Sequence, residues 1–179
     1  AYAPKLLLWR PGKDLDVLVV ENASYTNLTH RRAVFFVEKK YFVIIDEAFG
    51  DGTGDIDLHF QLSPGKAIFD SKKLSVRTDF SDGWNVLAQA MDQEGMKLEE
   101  EKGQVSFVYA KKEPRPAFRY SVRKETKETG VRFVTVVAPY NELQPKVNIR
   151  IIGKPKIGTS HIELEIVTDG IPKRIWYDL

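Results

Sequence analysis

The sequence predicts an all-β fold, an antiparallel β-sandwich of about a dozen short strands. Three observations carry this. Strand-sized runs rich in Val, Ile, Phe and Tyr recur along the chain, separated by turn residues. No segment shows a convincing long helical period. The strongest stretch, His30 to Gly50, holds two apolar runs, Ala33 to Val37 and Tyr41 to Ile45, split only by Glu38, Lys39 and Lys40. A short polar connection between two such runs reads as a β-hairpin. The turn lacks Asn-Gly or Asp-Gly, so a longer or bulged turn is expected. Both runs are almost continuously apolar, which predicts strands covered on both faces, with Phe36, Val43 and Ile45 buried.

The remaining elements follow in order. Leu6 to Trp9 is a short apolar run stopped by Pro11 and Gly12, and Asp16 to Val20 is a second. After the hairpin, Gly-Asp-Gly-Thr-Gly-Asp marks a loop. Ile56, Leu58 and Phe60 alternate with Asp57, His59 and Gln61, the pattern of a half-buried strand. Lys73 to Thr78 alternates again, with Leu74 and Val76 on one face. Trp84 to Met91 has a composition that permits a helical turn or two, but Gly83 and Gly95 bracket it and its length favours a strand. Gln104 to Ala110 places Val105, Phe107 and Tyr109 on one face. Pro114 and Pro116 bracket a connection and favour a sheet edge. Ala117 to Val122 and Val131 to Ala138 read as another strand pair, joined by the charged loop Arg123 to Gly130. Val147 to Ile152, His161 to Val167 and Lys173 to Tyr177 complete the chain, the last two joined by the hairpin signal Asp169-Gly170.

Composition narrows the function classes. The 179 residues suit one sandwich domain spanning 1–179. The absence of cysteine excludes disulfides and cysteine-based metal sites. Lys+Arg 27 against Asp+Glu 25 gives a formal charge of +2, without the basic excess of a nucleic-acid binder. No apolar run approaches the roughly 18 residues of a membrane span. The start, Ala-Tyr-Ala-Pro, has no initiator Met and no signal-peptide architecture, and reads as a mature or cropped end of a larger parent.

No self-contained catalytic motif is present: there is no Gly-x-Ser-x-Gly, no P-loop and no dinucleotide-binding turn. The histidines are His30, His59 and His161. A metal set of His30, Asp46 and His59 has acceptable donors but matches no short local motif, so no metal or other cofactor is expected. His59 and His161 read as solvent-facing strand residues. Asp51, Asp55 and Asp57 among glycines lack EF-hand spacing and read as a solvated turn. Lys111 to Tyr120 carries four cations and two aromatics, a pattern open to polyanion binding through residues such as Arg115, or to a solvated edge connection. His30, Arg31 and Arg32 open the first hairpin strand. Alternation sends Arg31 to the side opposite His30 and Arg32, so one side can face a cleft while the other meets a carboxylate such as Asp46 or Glu47.

In order along the chain stand Tyr25, then His30-Arg31-Arg32, Val34, Phe36 and Val37. Tyr41-Phe42, Asp46-Glu47-Ala48, a Gly-rich loop and His59, Gln61 and Leu62 follow. This ordered block, with flanks Lys5 to Asn22 and Gly103 to Phe118, resembles the C-terminal β-sandwich of heparinase III and its heparinase II/III-like relatives. The resemblance spans most of the chain. It implies a bacterial, periplasmic or secreted polysaccharide lyase in which an N-terminal α/α toroid precedes the sandwich and the substrate cleft lies between them. Such enzymes cleave heparan sulfate-type chains by β-elimination, using Asn and Tyr from the toroid and a His from an H-x-x-P-D-N-G-T-F block. None of these blocks is in this sequence. The chain is therefore expected to be catalytically silent alone, to support the cleft, and to have as partners the sulfated polysaccharide and its own toroid. Within it, His30 is the candidate cleft residue, and Tyr25, Arg31, Arg32 and Arg115 are the substrate-binding candidates. The alternative is a free-standing carbohydrate-binding or adhesion module.

Overall fold

The structure, a computed structural model, describes residues 4–81 and 83–179. The start read above as a mature or cropped end lies largely outside them. Fourteen strands and no helix are found among the described residues. They are β1 Pro4–Arg10, β2 Leu15–Tyr25, β3 Leu28–Val37, β4 Tyr41–Phe49, β5 Gly54–Gln61, β6 Ala67–Asp70, β7 Ser75–Thr78, β8 Trp84–Ala90, β9 Lys97–Val108, β10 Lys111–Lys124, β11 Val131–Asn141, β12 Val147–Ile151, β13 His161–Thr168 and β14 Ile171–Asp178.

One large sheet runs β1-β2-β3-β4-β11-β8-β7-β6, and two three-stranded sheets, β5-β10-β9 and β12-β13-β14, pack on it; every pairing is antiparallel. The two small sheets lie on opposite faces. On the front face Val17, Val19, Ala33, Phe35, Val43, Ile45, Val134 and Val136 meet Ile162, Leu164, Ile166, Ile175 and Tyr177 of the β12-β13-β14 sheet. On the back face Val76, Ala88, Ala90, Val131 and Phe133 meet Leu58, Phe118, Tyr120 and Val122 of the β5-β10-β9 sheet. β11 sits at the middle of the large sheet and contributes to both cores.

The β3–β4 hairpin forms in the register Val37↔Tyr41 to Thr29↔Phe49. Its turn is three residues long, with Glu38 and Lys39 at φ 50° and 58° and a Lys40 N–H to Val37 C=O bond of 2.9 Å. Positive φ in sequence matches the right-handed twist of the flanking strands.

Three readings of the sequence change. The hairpin is not covered equally on both faces. Its residues alternate, with Phe35, Val37, Val43 and Ile45 buried on the front and Val34, Phe36 and Ile44 half-buried on the back. Phe36 therefore faces the back, stacked on Phe42 with ring centroids 4.4 Å apart. A continuous apolar run hides the period of 2, and only packing reveals which parity is inside. Second, β10 and β11 do not pair: β10 lies between β5 and β9, and β11 between β4 and β8. The charged loop between them crosses from one layer to the other. Third, Pro114 and Pro116 are inside β10, where only β9 is a partner because pairing with β5 begins at Ala117. The missing N–H groups are tolerated on that open side. The segment Trp84–Ala90 is a strand, as expected.

The β12-β13-β14 sheet is tied to the hairpin turn by Glu38, which pairs with Lys173 of β14 and lies 3.6 Å from Lys40. The hydrogen bond and charge of Lys173 hold the Glu38 carboxyl below its usual range.

Phe35→Ala should cost about 3–5 kcal/mol, because it empties a fully buried site between two layers. Phe36→Ala should cost only about 1–1.5 kcal/mol, half the transfer energy of a Phe side chain. Urea denaturation of the two variants checks the parity. A larger loss for Phe36 would reverse it.

A second expectation concerns acid. A lowered carboxyl pKa stabilises fully above the unfolded value, 4.5, and the effect is lost as pH falls through the folded value. Glu38→Gln should lower Tm at neutral pH, and the gap from the parent should shrink as pH falls below 4.5. A gap independent of pH would show that packing, not charge, sets it.

Candidate functional site

The back face of β3 and β4 carries a cleft of about 550 Å³ walled on its other side by β5. His30 and Arg32 point to it from β3 because they share a parity, and Asp46 points to it from β4 directly opposite Arg32. Asp46 is the anchor. Its side chain is only 4% exposed. One oxygen, Oδ1, accepts from both His30 Nε2 at 2.6 Å and Arg32 Nε at 2.7 Å. The other, Oδ2, is buried with no hydrogen-bond partner. A carboxylate offers only acceptors, so Nε2 of His30 carries the hydrogen. Nδ1 is then an acceptor in the neutral ring and a donor in the cation. Arg32 spends Nε on Asp46, which leaves its two terminal nitrogens for other partners. A guanidinium fork suits a carboxylate or sulfate.

The rim is set by loops. Tyr25, 62% exposed, stands at the end of β2 and lines the cleft. The Gly-rich loop after β4 closes against the β2–β3 turn through a Gly52 N–H to Asn27 C=O bond of 2.8 Å. Gly50 has φ 124°, and a Cβ there would sit 2.6 Å from the Asn27 carbonyl oxygen, so the loop needs glycine to approach this closely. Phe133 of β11 and Ile56 and Leu58 of β5 form the apolar floor. Asp55 and Asp57 add acid at the edge, Asp55 paired with Arg123 at 3.1 Å and Asp57 3.9 Å from Arg119.

The structure brings His30, Arg32 and Tyr25 together and places the other two candidates elsewhere. Arg31 passes to the front face, as alternation requires. Its guanidinium is 2.7 Å from Glu21 Oε2 and 2.7 Å from the Thr159 carbonyl, and lies 5.3 Å from the Phe49 ring. Burial opposes its charge, but Glu21 and the Tyr177 hydroxyl more than restore it, and its pKa is raised. The carboxylate it meets is thus Glu21, not Asp46 or Glu47. Arg115 lies on the stretch of β10 that pairs with β9 alone, in a different groove, donating to Gln61 at 3.0 Å. Arg119 is held by Glu99 and Glu101, and Phe118 and Tyr120 are buried, so Lys111 to Tyr120 offers no continuous cationic aromatic surface. His59 is 2.8 Å from Glu101, and His161 pairs with Asp178. Among the described residues no group of three or more His, Cys, Asp or Glu is placed to hold a metal ion.

Sequence reasoning missed Phe133 and Arg132, 85 residues beyond Glu47. Arg132 pairs with Glu47 through Nη2 at 2.6 Å and donates to the Pro155 and Lys156 carbonyls, while Gly158 N–H donates to the other Glu47 oxygen. The available signal was a lone arginine inside the apolar run Val131 to Ala138.

A family model described as "Heparinase II/III-like, C-terminal" matches residues 2–152. The chain belongs to this family. It is 42% identical over 145 residues to a heparin-sulfate lyase of Pedobacter heparinus, which covers 79% of this chain and 22% of that protein. A heparin-sulfate lyase of Bacteroides stercoris is 35% identical over 174 residues, covering 96% of this chain and 26% of that one. Among solved structures, heparan sulfate lyase HepC from Pedobacter heparinus superposes with a TM-score of 0.92 at 35% identity, covering 98% of this chain and 28% of that one. Heparinase III superposes with a TM-score of 0.92 at 28% identity, covering 99% and 27%. The chain thus spans about a quarter of the length of the relatives it matches.

Asp46→Ala should lower unfolding free energy by about 1.5–3 kcal/mol, the range for hydrogen bonds to a charged group. Arg32 is 40% exposed and rehydrates, which keeps the loss below that of a fully buried pair. Urea denaturation measures it. A loss under about 0.5 kcal/mol would show that the shared carboxylate does not hold the cleft wall.

Proposed function

We propose that this chain is the C-terminal β-sandwich portion of a polysaccharide lyase acting on heparan sulfate-type chains by β-elimination, and that the Asp46-anchored cleft is its contribution to substrate binding. The observation that carries this is the pairing of His30 and Arg32 on one buried carboxylate at the mouth of the cleft. β-Elimination removes the C5 proton of a uronate and breaks the C4–O bond of the same residue, so that a C4=C5 double bond forms and the glycosidic oxygen leaves, protonated, on the anomeric carbon of the neighbouring sugar. It needs the uronate carboxylate neutralised, a base and an acid. Arg32 supplies a positive charge with free donors, and His30 a ring nitrogen held in one orientation. Asp46 positions both without itself reaching the sugar. Tyr25 offers an aromatic face at the rim. The resemblance assigns proton transfer to groups outside this chain, so the cleft here binds and orients. Supporting a bacterial periplasmic or secreted setting are the lyase relatives from Pedobacter and Bacteroides. No helix among the described residues is long and apolar enough to cross a membrane.

The purified chain should produce no unsaturated uronate from heparan sulfate, read as ultraviolet absorbance. In the full-length lyase His30→Ala should lower kcat/KM at least about tenfold, or about 1.4 kcal/mol of transition-state stabilisation, while Tm falls by only a few degrees. Enzyme-like turnover by this chain alone, or activity that falls only in step with stability, would overturn the reading.

A further inference from the structure

The back face of the large sheet is covered by β5-β10-β9 over β11, β8, β7 and β6, and the front face by β12-β13-β14 over β2, β3, β4 and β11. The back quarter over β1 to β4 is left open, and it is apolar. Cross-strand register puts Trp9, Leu18, Val34 and Ile44 in one row and Phe36 and Phe42 in the next. Trp9 is 58% exposed and Phe42 37%, and the other four are half-buried only by one another and their neighbours. A contiguous apolar sheet face of this kind marks a contact.

The adjoining edge points to its occupant. β5 is the outermost strand of its sheet. It runs along the cleft beside His30, Arg32 and Asp46, so its unpaired backbone opens toward the uncovered quarter. An unpaired edge is a template for one more strand. A strand added there would extend the β5-β10-β9 sheet across β4 and β3 and lay its inner side chains on Ile44, Val34, Phe36 and Phe42.

A second copy of this chain fits poorly. Pairing β5 to β5 about an axis perpendicular to the sheet makes the two large sheets collide. Pairing about an in-plane axis lays the charged outer surface of the partner sheet, Asp57, Arg119, Glu99 and Glu101, on apolar side chains. The chain spans 22% and 26% of two lyase relatives, so roughly three quarters of their length has no counterpart here. We infer that the free edge of β5 takes up at least one β-strand from the part of the lyase polypeptide outside this chain, and that this strand covers the apolar quarter formed by Trp9, Leu18, Val34, Phe36, Phe42 and Ile44. The inference rests on the reading that the chain is one portion of a longer lyase.

The test is hydrogen exchange followed by mass spectrometry on the 179-residue chain and on the full-length lyase. Amides of Gly54–Gln61 that point away from β10 should exchange about 100-fold more slowly in the full-length protein, while those bonded to β10 change little. Trp9→Lys should leave the Tm of the 179-residue chain within about a degree or two, because Trp9 is already 58% exposed, and lower that of the full-length protein clearly. Equal β5 exchange in both proteins, or an equal response to the lysine, overturns the inference. So does concentration-dependent β5 protection in the 179-residue chain with a dimer in sedimentation, which makes a second copy the occupant. Ultraviolet assay of the same full-length protein reads the lyase proposal separately. Protection of β5 without unsaturated uronate would sink the lyase reading and leave the added strand standing.

Discussion

A row of four charges across four strands fixes the register on which the rest depends. Glu21 of β2 lies opposite Arg31 of β3, Arg31 opposite Glu47 of β4, and Glu47 opposite Arg132 of β11. All four are on the front face, with signs alternating from strand to strand. Arg31 bonds Glu21, and Arg132 bonds Glu47. Glu47 and Arg132 have side chains only 2% and 10% exposed, so neither is left in place without the other at a cost below about 3–5 kcal/mol. A slip of one residue in β3 or β4 would turn a charge into the apolar core and break the row. The row also reaches across layers. Arg31 and Arg132 donate to the carbonyls of Thr159, Pro155 and Lys156, and Glu47 accepts from Gly158. The loop ahead of β13 is held by its backbone rather than by side-chain burial, and the β12-β13-β14 sheet keeps its position over the front core.

The same register delivers the cleft. Once Arg31 and Glu47 are fixed to the front, their neighbours His30, Arg32 and Asp46 have only the back face available. Asp46 lands opposite Arg32 and diagonal to His30, within reach of both. Structural and functional charges are therefore interleaved in sequence and separated in space. His30-Arg31-Arg32 reads as one cationic triplet along the chain, yet its middle member braces the fold and its outer two line the cleft. Asp46-Glu47 divides in the same way.

This division explains what was legible in the sequence. The hairpin, the alternation of His30, Arg31 and Arg32, the β13–β14 turn at Asp169-Gly170 and the strand at Trp84–Ala90 all rest on local patterns, and each was readable. The parity of the hairpin was not. Ala33 to Val37 is apolar at every position, and only the β12-β13-β14 sheet on one side decides that Phe35 rather than Phe36 is inside. β6 is four residues long and β9 opens with Lys97 to Lys102, so neither announces itself as a strand. Charges in β9 belong to an outward face where Glu99 and Glu101 meet Arg119. The partners Glu21 and Arg132 lie on strands whose adjacency is set by sheet order, which no local window contains.

Sheet order also explains why the chain leaves one apolar quarter open. β11 enters the large sheet between β4 and β8 and buries both of its faces, Phe133 behind and Val134 in front. Each small sheet is centred on one side of this shared strand, so the two coverings are offset in opposite directions. The offset leaves β1 to β4 bare behind, where Leu18, Val34, Phe36, Phe42 and Ile44 lie. In front, Leu87 of β8 is fully buried and Gln89 donates to the Val147 carbonyl of β12. Apolar side chains on the back, beside an open strand edge and a buried carboxylate oxygen lacking a partner, are what a covered face requires. The cleft formed by His30, Arg32 and Asp46 lies where that covering would begin, so the geometry presented to a sugar depends on residues this chain shares with a further element of the same protein.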